Sequence, residues 1–374
     1  MKNIIDYAVS TAGAGFDIKP MCEADSLVLS QLSYLDFSGE VPGPTDKAKP
    51  PTLKDVILYK GVRALCKETI IPEKNEKLLL AVLDSSRFGG LKLKSFINEV
   101  DDAEHKQFAA VTFLMPEKEA YIAFRGTDTT LTGWREDFDM AFTYPVPAQQ
   151  DAVAYLNMAG KGTSGALFVG GHSKGGNLAI YASVRSDNRL RGRIAGVFNH
   201  DGPGFKEDIY SEEAFKQIEP LVHTSLPTHS IVGILLQHDD NYKAVKSNAV
   251  GLLQHDPFTW SIKGGDLEFT DGLNSQSVFL DKAIGKWLEG LSDEERMKFV
   301  DALFEIADAS GFETIQDVKK NWKKAASDSI AVIKDMGPET RKMASEVFSM
   351  FEKTVSTGLV SEIKGFFSRK QSEN

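Results

Sequence analysis

Phe168-Val-Gly-Gly-His-Ser-Lys-Gly-Gly-Asn-Leu-Ala-Ile-Tyr181 is the most informative part of the sequence, because it places one serine, Ser173, between glycines. The apolar run Ala166–Val169 is typical of a buried strand, and Asn177–Val184 has the composition of a buried helix. Flanking glycines let strand and helix approach closely, and the sharp turn between them lifts a serine hydroxyl out of the sheet. The pattern therefore indicates a serine nucleophile. The simpler interpretation is that Ser173 only caps the helix.

Composition places the chain among globular proteins. It has 374 residues, 42% of them hydrophobic and 10% aromatic, enough for a large core. A net charge of -10 argues against a nucleic-acid partner, since binding to phosphate requires a basic surface. The first residues lack the apolar run of a secretory signal, and nowhere do eighteen apolar residues run together, so we expect a cytoplasmic protein.

Residues 1–105 are predicted to form a mainly helical region that packs on the core. Apolar periodicity predicts helices at Ala24–Leu35, Leu53–Leu65 and Leu78–Phe88. The segment Val41–Pro51 between the first two is too rich in proline for a helix or a central strand.

Residues 106–280 are predicted to form the core of the protein. The predicted elements are a strand pair at Phe108–Met115 and Glu119–Phe124, a helical segment at Trp134–Phe142, strand 166–169, helix 175–186, strand 193–199, helix 211–218, strand 221–225 and strand Ile231–Leu236. Strands alternating with helices are typical of a mostly parallel sheet covered by helices, so we expect an α/β protein.

Residues 281–374 have the apolar spacing of amphipathic helices throughout and are predicted to form a C-terminal helical region. The segment Ile363–Lys370 mixes aromatic with basic residues, which leaves open a weak contact with a membrane surface or a role as a lid.

A second motif precedes Ser173. Tyr121–Asp128 is an apolar strand that ends in Arg-Gly-Thr. Where a serine follows a strand in this way, the amide after it, here that of Lys174, and an amide from the loop after an earlier strand together bind the oxyanion of the reaction. Gly126 and Thr127 are the candidates for the second donor, and Thr127 could add its hydroxyl. The alternative is an ordinary turn at the end of a strand.

These two motifs together resemble those of the class 3 (fungal-type) lipases, which have the α/β-hydrolase fold. The resemblance covers roughly residues 105–260 and includes Trp134 and Asp137. The chain is also similar, over about 20–265, to a bacterial family of uncharacterised lipase-like hydrolases. That likeness is carried by Glu23–Tyr34, Asp201–Phe205 and Gln254–Phe258.

The resemblance implies hydrolysis of carboxylic esters, an oxyanion donor at Thr127 and a mobile lid at about 128–140. The chain departs from the lipase pattern at two positions. Lys174 stands where the lipases usually carry leucine, and Ser230 stands where their catalytic aspartate is expected.

The base should be a histidine, because the order along the chain in this fold is serine, acid, histidine. His255 follows the last predicted core strands and precedes Pro257, so we expect it on a loop at the edge of the sheet. His238 and His200 are the alternatives.

The acid is predicted to be Asp201. It follows strand 193–199 and precedes Gly202-Pro-Gly204, so it should lie at the carboxyl end of a strand, where sites in α/β sheets form. Asp239 and Asp240 are alternatives, and Asp201 could instead be a turn residue bonded to its own backbone.

The predicted activity is that of a carboxylic ester hydrolase acting through an acyl-enzyme on Ser173, with a small-molecule or lipid ester as substrate. We expect no metal and no organic cofactor, because no ligand cluster or phosphate loop is visible and Cys22 and Cys66 are far apart. The alternative is a hydrolase-fold scaffold or binding protein with little turnover, which the missing aspartate at position 230 and the long helical C-terminal region suggest.

Overall fold

The computed structural model describes residues 1–275, 292–294, 296, 297, 300, 301 and 304. Apart from those last few residues, the predicted C-terminal helical region 281–374 lies outside the described residues, as does the segment Ile363–Lys370. Within the part that is described, no helix is long and apolar enough to cross a membrane.

An eight-stranded sheet forms the centre of the protein. Its strands lie in the spatial order β1 (Lys92–Asp101), β2 (Lys106–Leu114), β3 (Ala120–Phe124), β4 (Leu167–His172), β5 (Ile194–His200), β6 (Val222–Pro227), β7 (Tyr242–Val245) and β10 (Phe269–Thr270). The five strands from β3 to β7 are parallel to one another, whereas β1, β2 and β10 pair antiparallel. A separate antiparallel pair consists of β8 (Ile262–Lys263) and β9 (Asp266–Leu267).

Ten α-helices surround the sheet in the described part of the chain. They are α1 (Ile4–Ser10), α2 (Glu23–Leu32), α3 (Leu53–Lys60), α4 (Val62–Cys66), α5 (Pro72–Leu83), α6 (Leu131–Asp139), α7 (Pro147–Lys161), α8 (Lys174–Arg185), α9 (Asn188–Arg191) and α10 (Glu213–Ile218). Short 3-10 helices lie at Pro116–Lys118, Glu219–Leu221, Gly251–His255 and Pro257–Thr259.

Both faces of the sheet are covered, and the residues of β3 show it. Tyr121 and Ala123 lie in the core shared with α1 to α5, whereas Ile122 and Phe124 lie in the core shared with α7 and α8. Successive side chains of a strand point to opposite faces, so a strand buried on both sides is apolar at every position. The prediction of an α/β protein with a mostly parallel, helix-covered sheet is confirmed.

The helices predicted in the first part of the chain are present with changed limits. The first is α2, and the second divides into α3 and α4 at Gly61, whose φ of 83° interrupts the helix. The third begins earlier than predicted, at Pro72, and ends at Leu83. The segment 41–51 contains no helix or strand.

Two expectations about strands were wrong. β1 was missed, because a mainly helical region was expected up to residue 105. This edge strand carries charged residues, is largely exposed in its second half and has a register shift between Lys94 and Ile97, so it lacks the apolar alternation of an inner strand. The strand predicted at Ile231–Leu236 is a series of turns in which Leu236 has a φ of 65°. The chain next enters the sheet at β7.

Candidate active site

Ser173 lies at the turn between β4 and α8, as predicted, with φ 59° and ψ -136°. This conformation is sparsely populated for a residue with a side chain and costs about 1–3 kcal/mol, so its surroundings must hold it. The Ser173 amide donates to His200 O at 2.9 Å, and Ser173 O accepts from the Gly176 amide at 2.8 Å. A Cβ on Gly202 would lie only 2.6 Å from Ser173 O. Close packing of backbone thus maintains the strained turn.

His255 and Asp201 form a hydrogen-bonded pair at the same edge of the sheet. Asp201 follows β5 directly and is fully buried, and His255 ends the 3-10 helix Gly251–His255. Nδ1 of His255 lies 2.6 Å from Oδ2 of Asp201. Since a carboxylate accepts the hydrogen, Nδ1 carries it and Nε2 is left as the nitrogen that can take a proton.

The second oxygen of the Asp201 carboxylate is bound by a loop that the sequence did not connect with it. The Ser230 hydroxyl donates to Oδ1 at 2.5 Å, and the Gly233 amide donates to the same atom at 3.1 Å. Ser230 is the residue that the resemblance to the lipases set against their aspartate. It therefore binds the carboxylate supplied by the neighbouring strand, and Asp201 is not the self-bonded turn residue of the alternative interpretation.

The side chain of His172, the residue before Ser173, contacts the main chain of His255. Nε2 of His172 lies 2.8 Å from His255 O, and the two rings are 4.5 Å apart between centroids. Burial, aided by the charge of His255, lowers the pKa of His172 well below 6.5, so the ring is neutral. Nε2 then donates to the carbonyl, and Nδ1 accepts the hydroxyl of Tyr34 at 3.0 Å. This chain of contacts fixes His255 beside the Ser173 turn.

The alternative histidines lie elsewhere. Nε2 of His200 is 2.8 Å from the Ser26 hydroxyl in the core, and burial lowers the pKa of His200 to about 4. Nδ1 of His238 faces Leu236 O at 3.2 Å. Neither histidine side chain forms a hydrogen bond with Asp201 in the described part of the chain.

The alternative acids are placed differently from Asp201. Asp239 accepts the amide of Asn241 at 3.0 Å in its own turn, and Asp240 is exposed. Of the three carboxylates proposed from the sequence, Asp201 is the one that the structure brings to His255.

The loop after β3 lies against the Ser173 turn. A Cβ on Gly126 would come 2.5 Å from His172 O and 3.0 Å from Ser173 Cβ, so only glycine fits there. The Gly126 amide bonds to the Tyr34 hydroxyl. The amides of Thr127 and Lys174, in contrast, have no hydrogen-bond acceptor among the described residues. These two are the amides that the sequence singled out.

Helix α6, which occupies most of the segment 128–140, holds the side chains of the same two residues. The Thr127 hydroxyl donates to Oδ2 of Asp137, and Nζ of Lys174 lies 2.8 Å from Oε2 of Glu136. Burial raises the pKa of Asp137 to about 6, although the Lys174 charge opposes it. The sequence placed Asp137 in the motif but did not identify Glu136 or Tyr34, because the residues that they contact lie far from them along the chain.

The outer side of α6 meets residues of the C-terminal region. Arg135 forms an ion pair with Asp301, and the ring of Phe304 packs edge-on against Phe138, 6.0 Å away between centroids. These are contacts of the few described residues beyond 291.

No arrangement of three or more metal-binding side chains occurs in the described residues. The expectation that the protein uses neither a metal nor an organic cofactor stays a prediction.

The described chain is thus an α/β protein in which Ser173, at a strand-to-helix turn, and the His255–Asp201 pair share one edge of a mostly parallel sheet. The Mbeg1-like family model matches residues 82–305, more than half of the chain. The chain therefore belongs to the Mbeg1-like family, a lipase-like family. The comparison with curated proteins gave no match.

Proposed function

We propose that this protein is a serine hydrolase of the α/β-hydrolase fold that cleaves carboxylic esters through an acyl-enzyme on Ser173. The observation that carries the proposal is the contact between His255 and Asp201, 2.6 Å long, beside a serine held at a positive φ. Membership of a lipase-like family supports it. The substrate is a small-molecule or lipid ester.

In the first half of the reaction, Ser173 Oγ attacks the carbonyl carbon of the ester while Nε2 of His255 takes the hydroxyl proton. Asp201 holds the other ring nitrogen in its protonated form and stabilises the imidazolium. The imidazolium then gives its proton to the departing alkoxide, so the alcohol leaves and the acyl group stays on Ser173.

The tetrahedral oxyanion is bound by the amides of Lys174 and Thr127, which have no acceptor among the described residues in the free protein. Such donors are aimed before the reaction at the place where charge develops, and removal of one lowers kcat by roughly 100- to 1,000-fold in well-studied cases.

In the second half, water loses a proton to His255 and attacks the acyl carbon. The tetrahedral intermediate collapses, Ser173 Oγ leaves and receives the proton back from His255, and the carboxylic acid is released. The protein is thereby returned to its starting state.

The test compares Ser173→Ala with the intact chain on p-nitrophenyl butyrate. We expect the hydrolysis to be lost in Ser173→Ala. The control is Ser183→Ala, which removes a hydroxyl of the same helix that bonds only to Ala179 O. Undiminished hydrolysis in Ser173→Ala would contradict the proposal.

The alternative of a scaffold with little turnover was suggested by the missing aspartate at position 230 and by the long helical C-terminal region, most of which lies outside the described residues. The bond from Ser230 to Asp201 supports the enzyme instead, because it gives position 230 a part in holding a carboxylate beside His255. A fluorophosphonate probe separates the two functions, since it reacts quickly only with an activated serine. Labelling of the intact chain but not of Ser173→Ala is expected, and an unlabelled intact chain would favour the scaffold.

A further inference from the structure

Two consecutive residues of α6 hold the two residues whose amides are proposed to bind the oxyanion. Glu136 binds the side chain of Lys174, and Asp137 binds the side chain of Thr127. One helix therefore connects the turn that carries Ser173 with the loop that follows β3.

The Lys174 side chain is fully buried and has three acceptors. Its Nζ donates to Gln107 O at 2.8 Å, to Gln107 Oε1 at 2.9 Å and to Glu136 Oε2 at 2.8 Å. An ammonium group has three hydrogens, so each of them is used. Lys174 is the first residue of α8 and follows the strained Ser173 directly.

The partner of Lys174 is itself anchored from two directions. Glu136 is fully buried. Its Oε2 accepts the backbone amide of Gln107 at 3.1 Å, and its Oε1 accepts the backbone amide of Ala148 at 2.9 Å. The ion pair thus joins β2, α6, the start of α7 and the turn at Ser173.

We infer that Lys174 is a positioning residue for the proposed oxyanion hole: its ion pair with Glu136 fixes its own amide and, through α6, the amide of Thr127. The inference rests on the proposed function of Ser173. It assigns a reason to the replacement of the leucine of the lipases by a buried lysine.

A second consequence concerns α6 itself. The resemblance to the lipases implies a mobile lid over about 128–140, but release of α6 here would take the Glu136 carboxylate away from the buried Lys174 ammonium group and leave that charge without its counter-ion. An unpaired buried charge is strongly unfavourable. We therefore expect α6 to stay in place during the reaction as a fixed wall of the site.

The test uses the full chain and three variants. Lys174→Met removes the ammonium group, Lys174→Met/Glu136→Gln removes both charges so that no unpaired charge is buried, and Glu136→Gln keeps Lys174 with its two Gln107 acceptors. The control is Arg87→Met/Asp25→Asn, which neutralises another fully buried ion pair, in the N-terminal helices. Sites labelled by fluorophosphonate are counted for each protein, and kcat and KM for p-nitrophenyl butyrate are expressed per labelled site.

An oxyanion donor acts on the transition state and not on the bound substrate, so its displacement lowers kcat and leaves KM unchanged. We expect kcat per labelled site to fall by about tenfold or more in the two Lys174 variants and by less in Glu136→Gln, with KM within about twofold. The control variant should keep kcat within about twofold. Loss of stability alone would lower the number of labelled sites and not kcat per site.

The inference is overturned if kcat per labelled site stays within twofold in the Lys174 variants that fold, or if KM rises while kcat is unchanged. If neither folds, Glu136→Gln decides in the same way. Absence of hydrolysis in the intact chain is a different result, because it removes the proposed function itself and is seen before any Lys174 variant is compared.

Discussion

Charged side chains are buried in two regions of this molecule, and the regions differ in whether their polar atoms have partners. Among the N-terminal helices, Arg87 and Asp25 form an ion pair with no exposure on either side. Asp25 also accepts the Tyr7 hydroxyl at 2.8 Å and the Cys22 amide at 3.0 Å. Arg87 further donates to four backbone carbonyls: those of Ala14, Gly15, Lys19 and Pro20. Every charged oxygen and nitrogen of this pair is satisfied.

The region around α6 is buried but not satisfied. Eight buried side-chain nitrogen or oxygen atoms of the described chain have neither a hydrogen-bond nor an ion-pair partner; five of them lie between residues 107 and 137, and none lies in residues 1–106. The five are Gln107 Nε2, Arg125 Nε, Trp134 Nε1, Arg135 Nε and Asp137 Oδ1. The free amides of Thr127 and Lys174 lie in the same neighbourhood.

Whether the buried polar atoms have hydrogen-bond partners distinguishes a structural region from a candidate site. A pair whose groups are all bonded holds segments of chain together and has nothing left for a ligand. Unbonded polar groups beside a strained serine are a cost to the folded protein, and such costs are typical of functional sites. The ion pair is fully bonded in both regions, so it is the unbonded polar groups around Lys174 and Glu136 that distinguish the candidate site.

The largest effect is expected from Asp201→Asn, which should lower kcat by about 10,000-fold, because an amide no longer holds His255 in the required tautomer. The midpoint of thermal unfolding should change far less than the activity. The control is Asp239→Asn, at an acid whose carboxylate accepts the backbone amide of Asn241 in its own turn. Equal kcat values for the two variants would show that Asp201 is not the acid that acts on His255.

Arg87→Met tests the structural side of the comparison. Because it leaves the carboxylate of Asp25 buried without its cation, we expect the free energy of unfolding to fall by about 3–5 kcal/mol. Urea unfolding measures this loss. At temperatures where the variant is folded, kcat per labelled Ser173 should be unchanged, and a reduced value would mean that the two regions are not independent.

Ser230→Ala should lower kcat by roughly tenfold, since it removes a hydroxyl that donates to the Asp201 carboxylate, and a hydrogen bond to a charged group contributes about 1.5–3 kcal/mol. Ser225→Ala is the matched control. Its hydroxyl donates at 2.9 Å to Glu23, a buried carboxylate on the side of the N-terminal helices. A kinetic loss in Ser225→Ala as large as that in Ser230→Ala would contradict the comparison.

The smallest effect concerns pH. Burial raises the pKa of Asp137 from 3.8 to about 6, so the folded chain holds this proton more tightly than the unfolded chain does. The stability that Asp137 contributes is complete below about pH 4 and is lost as the pH rises through 6. As the pH rises from 4 to 7, the thermal unfolding midpoint of Asp137→Asn should therefore increase relative to that of the intact chain.

Glu23 should show the opposite sign. Burial alone would raise its pKa, but hydrogen bonds from His223 and Lys243 bring it down to about 2. The stability that Glu23 contributes is therefore present above about pH 4.5 and is lost as the pH falls towards 2. The decrease in the unfolding midpoint caused by Glu23→Gln should therefore be smallest at acid pH. A midpoint difference that does not vary with pH, for either variant, would sink the corresponding assignment.

Much of the fold was predictable because its signals are local. The strands β3 to β6 and helix α8 are apolar runs bounded by turn residues, and the predicted positions lie within a few residues of those observed. β1 was not predictable in this way, since the exposed, charged half of an edge strand lacks the alternation of apolar and polar residues that indicates a strand. Residues 231–236 were mistaken for a strand because most of them are apolar. In the structure they form turns, in which the backbone amide of Gly233 donates to Asp201 and that of Leu235 donates to Val232 O.

The turn at Ser173 could be predicted from local sequence, because glycines, an apolar strand and a helix start within fourteen consecutive residues leave few other conformations. The sequence also placed Thr127 and His255 by their order along the chain. Only the tertiary structure decided that Asp201, 54 residues away, is the acid that meets His255, and that Glu136 meets Lys174. The physical reason is that parallel strands bring their carboxyl ends to one edge, so partners there are chosen by strand order and loop path, which no short stretch of sequence specifies.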